Sequence, residues 1–152
     1  MILPITLTIA GAAALLNVWL ARRVGQVRLA HKISIGDGGN EALIARMRAQ
    51  ANFIEYTPIV LILIGLIELA EGSKLWLWIV GMAYVLARIA HAFGMDRPRP
   101  DPLRLRTAGM MVTALILLGL GLYAIVLPYI HREPARVTYA FSESLSGGTK
   151  ES

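Results

Sequence analysis

Four long apolar stretches, joined by short polar connections, constrain this chain more than any other feature of its sequence. They cover residues 2–21, about 53–70, 75 to about 94, and 107–130. A helix that crosses a hydrocarbon core needs about 20 mostly apolar residues, and lipid leaves the backbone little alternative to a helix. The runs therefore predict an all-α integral membrane four-helix bundle over residues 1–130. A polar tail rich in Ser, Gly and Glu, residues 131–152, is expected to be disordered.

Composition supports this reading. The 152 residues are 56% hydrophobic and 16% charged, against about 25% charged in soluble domains, which argues against a soluble fold and against disorder. With no cysteine the chain has no disulfide framework, no thiol nucleophile and no Cys-based metal site. No metal ligand set is read from the remaining residues. The first run has no basic residue before its apolar stretch, and Arg22-Arg23 follows it. It reads as a retained span rather than a cleaved signal.

The net charge of +5 would suit nucleic acid, but the positions of the charges suit a membrane surface and an anionic ligand better. Arg22, Arg23, Arg28, Lys32, Arg46 and Arg48 fall between spans one and two. Arg97, Arg99, Arg104 and Arg106 fall between three and four, making ten of the 15 basic residues. Short loops rich in Lys and Arg stay cytoplasmic, so both termini are expected on the other side. The segment Ser34–Asn40 lacks the acids of a calcium loop and reads as a plain turn before a helix starting near Glu41. Arg22 and Arg23 read as interface anchors. Glu68, Glu71 and Lys74 read as the opposite-side connection, with Trp76 and Trp78 as an aromatic belt. Gly109, Gly119 and Gly121 are expected to allow close helix packing, and Asn17 to make a helix–helix hydrogen bond.

Polar residues stand where the bilayer should be apolar. Arg48, Asn52 and Glu55 are spaced i, i+4, i+7 and share one helix face, flanked by Gln50 and Tyr56. Arg88 and His91 end span three, and Arg104 and Arg106 open span four. Under the predicted topology all three clusters meet at one membrane depth, as in sites between the helices of a bundle. Several Arg with one Glu suit a ligand with more than one carboxylate and one amine. Glutathione has this pattern, and an arginine near its thiol would favour the thiolate. His91 fits an interhelical hydrogen bond as well as a ligand contact. Arg48, Asn52 and Glu55 could also form a purely structural polar network.

These motifs resemble the membrane-associated proteins in eicosanoid and glutathione metabolism, the MAPEG family. The resemblance rests on Arg48-x-Gln50-x-Asn52-x-x-Glu55-Tyr56-x-Pro58, on Ala87-Arg88-x-x-His91, on the Gly36-Asp37-Gly38-Gly39 loop, and on Arg106-x-x-Gly109. It implies a homotrimer with glutathione as co-substrate between subunits and a hydrophobic electrophile or lipid as second partner. It further implies that Arg28, Arg48, Gln50, Asn52, Glu55, Tyr56, Arg88 and His91 bind glutathione. Arg106, or else Arg104, would activate the thiol. His91 and Met95 replace the tyrosines of the leukotriene-synthase pattern, so leukotriene synthesis is not expected. The activity implied is a bacterial glutathione transferase or peroxidase of the inner membrane. The rivals are a non-catalytic lipid-binding or scaffold protein of the same fold and, much weaker, a small drug–proton exporter. The exporter would need a mid-membrane acid, and span one has none.

Overall fold

A computed structural model of the chain describes residues 2–96 and 102–130. They form α1 (Pro4–His31), α2 (Glu41–Glu71), α3 (Leu75–Gly94) and α4 (Pro102–Ile130). All four are long and apolar enough to cross a membrane. The 131–152 tail, Arg97 and Arg99 lie outside the described residues.

The helices outrun the apolar runs that predicted them. At about 1.5 Å per residue, the 28 residues of α1 and 31 of α2 reach well beyond a hydrocarbon core of about 30 Å. Arg22, Arg23, Arg28, Arg46 and Arg48 therefore ride on helix rather than in a loop. The connection shrinks to residues 32–40. Lys32 takes a left-handed conformation, and its N–H caps α1 on the Arg28 and Leu29 carbonyls. Asn40 then opens α2: its side chain accepts from the Leu43 N–H at 3.0 Å, an N-cap that leaves Glu41 as the first helical residue, as expected.

The main core draws on every helix, joining Ile5 and Ile9 to Val60 and Ile64, Leu77 and Tyr84, and Leu120 and Leu127. A second cluster, Leu16, Leu20, Phe53 and Ala92, ties α1, α2 and α3 nearer the basic end. Thr57 bonds to the Phe53 carbonyl at 2.5 Å and lies 2.7 Å from the Tyr84 hydroxyl. The single hydroxyl hydrogen of Thr57 goes to the carbonyl, so Tyr84 donates to Thr57.

Glycine sets the closest helix approaches. A Cβ on Gly81 would lie 2.7 Å from Ile9, one on Gly109 2.5 Å from the Ala87 carbonyl, and one on Gly94 2.2 Å from the Arg106 nitrogen. Gly109 thus packs as expected. Gly119 and Gly121 do not: each faces open space in the single chain. The Asn17 expectation also fails within the chain, because its buried amide oxygen has no hydrogen-bond partner.

Two charged residues are placed differently from their sequence reading. Glu68 is not in a loop. It lies in α2, 1% exposed, and accepts from the N–H groups of Ile5 (2.9 Å) and Thr6 (2.8 Å) and the hydroxyls of Thr6 (2.7 Å) and Ser73 (2.8 Å). A carboxylate over the first turn of α1 satisfies donors that the helix cannot satisfy itself and complements the helix dipole. Arg23 is not a surface anchor. It is buried, pairs with Asp96, donates to the Ala92 carbonyl at 3.3 Å and stacks over Trp19 at 4.6 Å. Arg46 joins it, 3.5 Å from Asp96 and 2.9 Å from the Arg23 carbonyl. One acid at the end of α3 thereby fastens the basic ends of α1 and α2.

Candidate functional site

At the basic end a cavity of about 360 Å³ opens between α2, α3 and α4. It is lined by Arg48, Asn52, His91, Met95, Arg106, Thr107, Met110 and Met111. Its volume falls in the range of small-molecule sites.

Helix spacing explains the α2 wall, since Arg48 and Asn52 are one turn apart on one face. Behind it lies Arg88, 1% exposed. Its guanidinium donates to the Asn52 side-chain oxygen at 3.4 and 3.5 Å, long contacts that orient the amide at the cavity wall. Arg88 Nε has no partner.

The opposite wall depends on the glycine crossing. Because Gly94 and Gly109 let the α3 and α4 backbones nearly touch, the Arg106 carbonyl comes within 3.1 Å of His91 Nδ1. A carbonyl only accepts, so Nδ1 carries the hydrogen. Arg106 joins Arg48 in the cavity lining. Two arginines from different helices line a space whose described lining includes no carboxylate, an arrangement suited to an anion. Three methionines add a soft, polarisable apolar surface.

The candidate residues therefore divide. Arg48, Asn52, His91 and Arg106 share the cavity, with Arg88 directly behind Asn52. Glu55 is exposed on α2, and Gln50 and Tyr56 are half-buried outside the lining. Arg28 reaches Met47 Sδ at 3.5 Å, and its buried Nη1 has no partner. Arg104 is exposed beside a shallow depression with Thr107, Ala108 and Met111. Thr107 and Met111 border both spaces. Sequence reasoning missed Thr107, Met110 and Met111, although their i+1, i+4 and i+5 spacing from Arg106 was the available signal. Among the described residues no group of three or more His, Asp or Glu could hold a metal.

A four-helix membrane bundle with a cation-lined cavity at one end is the class that fold and site define. The MAPEG family model matches residues 6–126, and the chain belongs to that family. It is 30% identical over 112 residues to inner membrane protein YecN of Escherichia coli K12, covering 72% of this chain and 82% of YecN. The YecN of Escherichia coli O6:H1 matches to the same extent.

Proposed function

We propose that this protein is a glutathione-dependent transferase of a bacterial inner membrane, acting on hydrophobic electrophiles or reducing lipid hydroperoxides with the same thiol. The observation that carries this reading is the presence of both Arg48 and Arg106 in one cavity lining that, among the described residues, has no carboxylate. A peptide with two carboxylates and a thiol needs cations for its termini and another for its thiolate. Arg106 is the thiolate-stabilising residue in this reading. Arg104, on the neighbouring depression, is the alternative. Arg48 and Asn52 hold the peptide and Arg88 fixes Asn52, while Arg28, Gln50, Glu55 and Tyr56 complete the site across a subunit boundary.

The assembly proposed is a homotrimer, with the basic end at the cytoplasmic face and both termini opposite. Its support is the incompleteness of a single copy. Glu55 is exposed near the membrane boundary, where an unpaired carboxylate is costly. Asn17 and Arg28 bury polar atoms without partners. Light scattering of the detergent-solubilised protein is expected to give three copies per particle.

A groove of about 520 Å³ between α3 and α4, lined by Ile79, Val80, Leu115 and Ile116 among others, suits an apolar acceptor arriving from lipid. It equally favours a second reading, a lipid-binding protein without turnover. Adding glutathione to the purified protein separates the two. Transfer chemistry predicts a thiolate absorbance band that Arg106→Ala abolishes. No band, or a band unchanged in both Arg106→Ala and Arg104→Ala, removes the arginine role.

A further inference from the structure

We propose that His91 is the general base of the thiol reaction, an inference that rests on the glutathione reading above. His91 is 5% exposed, and its Nδ1–H donates to the Arg106 carbonyl at 3.1 Å. That bond fixes the tautomer: in the neutral ring, Nε2 is left with the lone pair. No described residue hydrogen-bonds to Nε2, and His91 lines the cavity. The charged and polar residues that line the cavity with it are Arg48 and Asn52 from α2 and Arg106 and Thr107 from α4, and Arg88 of its own helix lies behind Asn52. None of them is a base at neutral pH. A histidine oriented by a backbone carbonyl and presenting Nε2 to a bound nucleophile is the arrangement that proton transfer requires.

The step balances without another reactant. Nε2 takes the thiol proton as glutathione binds, leaving the thiolate beside Arg106; with an α,β-unsaturated ketone as acceptor, sulfur then forms a bond to the β-carbon. The π electrons move onto the enolate, which then recovers the proton from Nε2–H. The net change is addition of S–H across the carbon–carbon double bond. Arg106 neutralises the thiolate sulfur during the transfer, so one residue supplies the charge through its side chain and the orienting bond through its backbone. Arg106→Ala removes the charge and keeps the orienting carbonyl, so substitution at His91 is what isolates the base.

The diagnostic variant is His91→Asn. Its amide nitrogen falls where Nδ1 sits and can still donate to the Arg106 carbonyl, but the base is gone. The probes are glutathione and benzylideneacetone, with detergent-solubilised full-length protein. His91→Asn is expected to bind glutathione within a fewfold of wild type by calorimetry. Its turnover is expected to fall about a hundredfold or more, and the wild-type acidic limb of the pH–rate profile to disappear. His91→Asn turnover within a fewfold of wild type would overturn the proposal and leave His91 as a helix tie. Full loss of glutathione binding would also overturn it, in favour of a binding role. If wild-type protein itself bound no glutathione, the functional reading would fall and this inference with it. Should His91→Asn fail to fold, wild-type protein suffices: diethyl pyrocarbonate should modify His91, and glutathione should slow that reaction. An unmodified His91, or modification indifferent to glutathione, would count against the proposal.

Discussion

At the Glu68 end of the bundle both oxygens of a buried carboxylate on α2 are fully used, with four donors from α1 and the turn after α2 converging on them. At the basic end Arg88 Nε and Arg28 Nη1 are equally sheltered and have no partner. Both ends bury charge in a chain that has to live in lipid, yet only one end is complete by itself. A buried polar atom left unpaired costs about 1–3 kcal/mol, and folding of one copy does not recover that cost at the basic end. The contrast teaches that the Glu68 end holds the bundle together, whereas the basic end is built for something the single chain does not contain. A ligand and neighbouring copies are the partners proposed above.

Separating the two ends by mutation tests this division. Arg106→Ala should produce the largest effect, a loss of about a hundredfold to a thousandfold in transfer rate, as expected when a charge-stabilising group is removed. It should leave the His91 hydrogen bond intact, because that bond uses the Arg106 backbone. Melting of the variant should stay near wild type, and a large drop in melting would blur the division.

Glu68→Ala should do the reverse. Removing the carboxylate strands the Ile5 and Thr6 donors, and an unfolding free energy lower by roughly 3 kcal/mol is expected. Unfolding in mixed micelles reads it, alongside an unchanged glutathione affinity. A lost affinity with unchanged stability would assign Glu68 to the wrong end.

Gly109→Ala bears on the link between fold and site. The added methyl meets the Ala87 carbonyl and the His91 backbone, so α3 and α4 must part, at a cost of about 1–3 kcal/mol. Because the same crossing brings the Arg106 carbonyl to His91, turnover should fall together with stability. Tyr84→Phe is the mildest change. It removes only the bond to Thr57 and should cost about 1 kcal/mol, with glutathione binding untouched.

The helix count and type were legible because each apolar run was about as long as a bilayer is thick. The true helix lengths were not, since the apolar runs end before the helices do, and α1 and α2 continue past them on contacts such as Val24 and Val27 with Leu43. On α2, spacing alone placed Arg48 beside Asn52, because both lie on one helix. The His91–Arg106 contact was beyond reach of any spacing rule. It joins a side chain to a backbone carbonyl on another helix and depends on how closely two glycines let the helices approach. Glu68 read as loop because a carboxylate near the end of a span is usually solvated, and only the fold shows the first turn of α1 seated over it. Asp96 drew no notice in the sequence for a related reason: its partners, Arg23 and Arg46, come from helices far away in the chain.

The most direct test is titration calorimetry of glutathione into detergent-solubilised wild-type protein, Arg48→Ala and Glu55→Gln. Saturable binding by wild type, weakened about tenfold or more in each variant, is the predicted result. Identical heats in all three proteins would contradict the assignment of the basic end as the glutathione site.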